Sequence, residues 1–354
     1  MQKRTPLRIS WLDLFLRAFQ FVTAVVILIG LYNTFTAARY TSNQWATLVF
    51  AGLAQGSIYA LIALGYTLVY GILLMINFAH GEVYMAGALS TVFLANYFAR
   101  SGFLAESPFI AIVLMILFSA AISTVVALLL ERIAYRPLRN APRLIPLITA
   151  IGASFALQYT FRGFYGSEFR SYPTVEALRG TWNIFGFEVP IVQPVVFLSA
   201  VVLMLALYWY VERTKAGKAM RAVSENKDVA RLMGIDIDKV IVTTFALGGA
   251  LAGAAGVFNG LFRPQGVFFL MGFFPGIKAF TAAVLGGIGN IPGAMFGGLL
   301  LGLIESLGPN IILEGLGIPG TNQLKDGIAF TVLVLILIFR PQGIFGERLS
   351  ETKA

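Results

Sequence analysis

The residues most able to do chemistry lie between two apolar runs, in Asn77-Phe78-Ala79-His80-Gly81-Glu82, where the only histidine of the chain stands beside a carboxylate. Two readings follow. If the stretch is embedded in a membrane, ionisable groups there are costly and mark a transport path. If it is a short cytoplasmic turn, Asn77 caps the next helix and Glu82 lies near its positive N-terminal end. A second unusual stretch is Gly286-Gly287-Ile288-Gly289-Asn290-Ile291-Pro292-Gly293. So many glycines beside a proline cannot sustain a lipid-facing helix, so this backbone belongs inside the protein or along a water-filled path. Asn77 and Asn290 each enter a helix after an apolar run, which suggests equivalent positions of an internal repeat. Asn77, His80, Glu82, Gly289 and Asn290 are therefore the candidate residues of a path or gate.

The stretch 212–240 reads as two short helices in a water-facing loop, with Asn226 as an N-cap, Asp228 in the first turn and Gly234 just past the end. It carries Met220, Val223, Val229, Leu232, Met233 and Ile235, apolar residues that a solvated loop does not need. They either dock a partner protein or pack on the helices of the chain itself. Other chemistry is excluded or unsupported. Without cysteine there are no disulfides, thiolate metal sites or cysteine nucleophiles, and one histidine builds no histidine metal cluster. No cofactor is expected. No phosphate-binding glycine loop and no His-Glu-x-x-His helix occur, and Gly152-Ala153-Ser154-Phe155 lacks the setting of a serine nucleophile.

The elements that must position these residues are membrane helices. Of 354 residues 58% are hydrophobic and 12% charged, about half the charge of a soluble domain. Apolar segments fall at 18–34, 46–77, 81–99, 109–130, 144–163, 191–211, 240–262, 277–289, 293–307 and 326–339. Several have the roughly 20 residues a helix needs to cross the hydrocarbon core. The segment 46–77 is too long for a simple span and 277–289 too short, so broken or re-entrant helices are expected there. The fold class is thus all-α, a polytopic transmembrane bundle of about 8–10 segments. Glycines four apart, such as Gly52 and Gly56 or Gly293 and Gly297, allow close helix packing in lipid.

The net charge of +9 belongs to basic loops rather than to nucleic-acid binding. Arg132, Arg136, Arg139 and Arg143 mark 131–143 as cytoplasmic, as do Arg213, Lys215, Lys218, Arg221, Lys227, Arg231 and Lys239 for 212–239. The stretch 164–190, with Trp182, Phe185 and Phe187, suits an outer loop. Ten crossings then place both termini inside, with Lys3, Arg4 and Arg8 at one end and Arg340, Arg348 and Lys353 at the other. The N-terminus has a signal-like outline with a cleavage option near Thr36-Ala37-Ala38, while Arg17 and the long charged lead favour a retained first span.

The run 60–71 leads into Met75-Ile76-Asn77-Phe78-Ala79-His80-Gly81-Glu82, and Lys278-Ala279-Phe280-Thr281 leads into Gly286-Gly287-Ile288-Gly289 and Pro292-Gly293-Ala294. These blocks resemble the first permease subunit of branched-chain amino acid ABC importers. So do 131–139, 217–235 and Arg340-Pro341-Gln342-Gly343, in the same order. The likeness covers about 45–346. It divides the chain into an N-terminal extension with one helix (1–44), the permease domain (45–346) and a cytoplasmic tail (347–354). The resemblance implies a non-catalytic subunit of the inner membrane that works with a second permease, two cytoplasmic P-loop ATPases and an external binding protein. The stretch 212–240 would seat in an ATPase, with Arg221, Ala222, Glu225, Ala230 and Gly234 as coupling residues. Similar permeases serve urea, short amides or other amino acids. An ion-coupled secondary transporter, using Glu82, Glu305, Asp326 or His80, is the rival reading.

Overall fold

The structure is a computed structural model that describes residues 11–37, 40–139, 141–142, 144–263, 266–318, 323–340 and 342–346, apart from the side chains of residues 12, 13, 15 and 16. Lys3, Arg4, Arg8, Ala38, Arg143, Pro341 and the tail 347–354 lie outside the described residues.

Among the described residues the chain runs through α1 (Trp11–Thr36), α2 (Ser42–Leu73), α3 (His80–Arg100), the short α4 (Phe103–Glu106), α5 (Pro108–Leu130) and α6 (Leu144–Tyr165). It continues through α7 (Val192–Arg213), α8 (Lys215–Glu225), α9 (Lys227–Leu232), α10 (Ile237–Phe262), α11 (Phe273–Gly286), α12 (Ile291–Gly308) and α13 (Lys325–Phe339). Each of the ten apolar segments became one helix, and among the described residues seven helices are long and apolar enough to cross a membrane. The bundle carries one small sheet, an antiparallel hairpin of β1 (Thr181–Ile184) and β2 (Phe187–Pro190) within the stretch expected to be an outer loop.

α2 and α10 form the centre, each with 72% of its apolar window buried, whereas α5 and α6 bury 28% and face outward. In α2 the expected interruption is not where the length suggested. Thr41 caps the helix in a capping box with Gln44, and the helix then continues unbroken for 32 residues, about 48 Å. Its glycines do not break it because they are contact surfaces: a Cβ on Gly56 would stand 2.8 Å from the Gly298 carbonyl of the antiparallel α12. α2 ends only at Leu74, which adopts the left-handed conformation at φ 56°. Non-helical backbone then runs over 74–77 before α3 begins at His80.

The second irregularity is where the sequence placed it. After α10 the chain turns back through an extended stretch in which Val267 pairs with Arg170. α11 then follows with only 14 residues, about 21 Å and too short to span the hydrocarbon core. Its far end is held by the C-terminal segment, where the Ile344 and Phe345 amides donate to Leu285 and Gly286. α11 is a half-helix that starts inside the bundle, and its first turn meets the first turn of α3.

Candidate functional site

The junction of α3 with α11 is built from backbone. A Cβ on Gly276 would stand 3.0 Å from the Gly81 Cα, and one on Gly272 would stand 2.6 Å from Glu82 Oε2. Only glycine on both sides lets the two helix starts approach so closely. The Asn77–Glu82 stretch is therefore not a solvated turn: Asn77, His80 and Glu82 are 1–2% exposed. Asn77 does not cap α3. Ala79 holds that position without a side-chain bond, and the Asn77 Oδ1 instead accepts from the Tyr135 hydroxyl at 2.8 Å.

Glu82 sits in the first turn of α3, where a negative group suits the helix dipole. Its Oε1 accepts from Ser154 Oγ at 3.1 Å and Gln158 Nε2 at 2.6 Å, both on α6. These two residues belong to the narrow inward stripe Pro146, Ala150, Ser154 and Gln158, the four-residue repeat that turns one face of α6 toward α3. Around the same junction Tyr66, Phe78 and Phe280 form an aromatic wall, with centroids 5.7–6.0 Å apart, and the His80 ring stands edge-on to Tyr66. The His80 ring presses against Gly65 of α2, and its Nε2 has no hydrogen-bond partner among the described residues.

Gly289 and Asn290 are not brought into this group. They form the turn between α11 and α12. Asn290 caps α12 by accepting from the Gly293 amide at 3.0 Å and donates to the Phe345 carbonyl at 3.0 Å. Asn77 and Asn290 thus do different local jobs.

A second buried polar group was not assembled from the sequence. Lys278 on α11 donates to Glu305 Oε1 of α12 at 2.8 Å and to Asp326 Oδ1 of α13 at 2.5 Å. Tyr59 of α2 donates to Glu305 Oε2 at 2.7 Å, and Arg263 lies 4.0 Å from Oε1. Two of the carboxylates considered for ion coupling are therefore held by a lysine.

The 212–240 stretch forms an elbow of α8 and α9. Asn226 Oδ1 accepts from the Asp228 and Val229 amides at 3.0 Å, as its N-cap reading requires. Gly234, at φ 79°, closes α9: its amide donates to Arg231 and the Ile235 amide donates to Ala230. This is the paired closure that favours glycine after a helix end. The apolar residues divide between both readings. Met220, Val223 and Ala230 are buried against the bundle, while Val229, Leu232 and Met233 are exposed, Leu232 at 87% and Met233 at 77%. Ala230, expected at the coupling surface, is an inward anchor because it faces α8 and α10. Ala222 is half-buried, and Arg221 is exposed and ion-paired with Glu212.

The elbow connects to the Asn77 region through charges. Asp236 caps α10 by accepting from the Lys239 amide at 3.1 Å, a bond that holds its carboxyl below the usual range. Next to it Asp238 pairs with Arg136 and Arg139, and Arg139 also pairs with Glu131. Burial and the Arg139 guanidinium hold the Lys227 ammonium of α9 below its ordinary value. Glu131 opens the π-helical turn Glu131–Tyr135, which ends at the tyrosine bonded to Asn77.

Comparison with known proteins places these features in context. Residues 48–337 match the family model described as branched-chain amino acid transport system / permease component. A high-affinity branched-chain amino acid transport system permease protein of Pseudomonas aeruginosa, BraD, is 42% identical over 305 residues, covering 84% of this chain and 94% of that protein. The Escherichia coli permease protein LivH of the same description is 40% identical over 308 residues, with the same coverage. A Methanocaldococcus jannaschii LivH is 29% identical over 318 residues, covering 85% of this chain and 92% of that protein.

Proposed function

The chain belongs to the branched-chain amino acid transport permease family, and from that premise we propose that it is one of two membrane subunits of an ATP-driven importer of branched-chain amino acids. It is a multi-pass membrane protein. The observation that carries the ATP-driven reading is the α8–α9 elbow, a capped and anchored platform that presents Val229, Leu232 and Met233 outward beside Arg221. A carrier driven by an ion gradient has no partner to seat there. The basic end of the bundle, with Arg136, Arg139, Lys215, Lys218 and Arg231, faces the cytoplasm and the hairpin faces outward. Both termini then lie inside.

In this reading two P-loop ATPases bind at the elbows of the two permeases, and an external binding protein delivers the substrate. ATPase closure moves the elbow. The movement passes through Asp238, Arg139 and Glu131 to Tyr135 and Asn77, and so to the start of α3, where Glu82 and His80 gate the path. The urea or amide alternative is less well supported, because the family model over 48–337 and the relatives at 40–42% identity carry the branched-chain amino acid description. The ion-coupled alternative loses Glu305 and Asp326 to Lys278. The test is purification of the tagged chain from mild detergent, with identification of its partners and an ATPase assay. A second permease and P-loop ATPases stimulated by leucine-loaded binding protein support the reading. Recovery of the chain alone, with uptake driven by an ion gradient in liposomes, overturns it.

A further inference from the structure

Three carboxylates are buried below 5% exposure among the described residues, namely Glu82, Glu131 and Glu305. Two of them show how this fold treats a structural carboxylate: Glu131 pairs with Arg139, and Glu305 pairs with Lys278. Glu82 is different. No lysine, arginine or histidine stands within ion-pair distance of it among the described residues, and its Oε1 is held only by the neutral Ser154 and Gln158. Its Oε2 is buried and accepts no hydrogen bond among the described residues. A buried carboxylate oxygen without a donor is expensive, and in a membrane protein such a group marks function.

The geometry shows where that oxygen is aimed. It lies over Gly272, at the seam where the first turns of α3 and α11 touch through glycine backbone. Separation of α11 from α3 would uncover Oε2 at this seam, which the Tyr66 hydroxyl also lines beside Gly276, with Phe280 packed on Tyr66 and Phe78 on Phe280. We propose that Glu82 Oε2 receives the α-ammonium group of the amino acid as it crosses the α3–α11 seam, with the branched aliphatic side chain against that aromatic wall. Ser154 and Gln158 are positioning residues that fix the carboxylate through its other oxygen. The inference rests on the importer reading, since a neutral amide brings no ammonium.

The experiment uses the complete importer in proteoliposomes with leucine-loaded binding protein, reading both leucine uptake and ATP hydrolysis. With Glu82→Gln, leucine imported per ATP hydrolysed falls at least about tenfold, and Glu82→Asp recovers part of it. In the purified importer without binding protein, 3-methylbutylamine competes with labelled leucine for the wild type but not for Glu82→Gln, while 4-methylpentanoate, which lacks the ammonium, competes with neither. An unchanged ratio in Glu82→Gln, whether both rates hold or both fall together, assigns Glu82 a structural or latching role and overturns the inference. Amine competition that survives in Glu82→Gln does the same. Absence of leucine uptake in the wild type is a separate result, which removes the importer reading itself.

Discussion

Replacing Lys278 by methionine keeps the volume and the apolar stem but removes the ammonium that joins α11, α12 and α13. Glu305 is then left 4% exposed, and among the described residues its Oε1 faces only Arg263 at 4.0 Å. Breaking one side of a buried ion pair costs about 3–5 kcal/mol. The Tyr59 hydroxyl still donates to Oε2 at 2.7 Å, so a value near the lower end, about 3 kcal/mol, is expected. Asp326→Asn should cost at most about 1 kcal/mol, because that carboxylate is 43% exposed. The double variant Lys278→Met with Glu305→Met should return to within about 1–2 kcal/mol of the parent, since an apolar pair replaces a desolvated one. Unfolding by SDS titration in mixed micelles, followed by tryptophan fluorescence, gives all four corners of the cycle. A Lys278→Met variant as stable as the parent, or a double variant less stable than either single one, would refute the argument that this network is a closed structural ion cluster.

Three further outcomes follow from the same contacts. Leu232→Asp with Met233→Asp should strip the ATPases from the purified chain while leaving its own melting unchanged, because both side chains are exposed; retained ATPases would show that the partner seats elsewhere. Gly234→Pro removes the amide that donates to Arg231 and forbids the φ of 79°; it should lower transport with membrane insertion intact, measured by uptake and by protein level in membranes. Tyr135→Phe deletes the bond to Asn77 and should destabilise by about 1 kcal/mol while reducing the stimulation of ATP hydrolysis by loaded binding protein; full stimulation would remove Tyr135 from the coupling route.

Much of the architecture was legible because a bilayer imposes long apolar segments, and every such segment became a helix. The caps of the elbow were equally readable, since Asn226 and Gly234 act on backbone within three residues of themselves. Long-range pairings were not. Glu82 meets Ser154 and Gln158 across 72 and 76 residues, and nothing local in α6 marks which face turns inward until α3 is placed beside it. The same holds for Lys278 with Glu305 and Asp326, which the sequence shows only as separate charges in apolar runs. The length of the 46–77 segment suggested a break within it; the break falls only at its end, over 74–77, because glycines that weaken an isolated helix are stabilised here by close contact with α12. Met220, Val223 and Ala230 could not be told from Leu232 and Met233 by type, because the bundle that buries the first three is assembled from distant segments.

The most direct test is leucine uptake into proteoliposomes holding the assembled importer, with ATP inside and loaded binding protein outside. The account predicts accumulation against a gradient that requires hydrolysable ATP and is unaffected by collapsing proton and sodium gradients. Uptake that persists without ATP and disappears when an ion gradient is collapsed would contradict it.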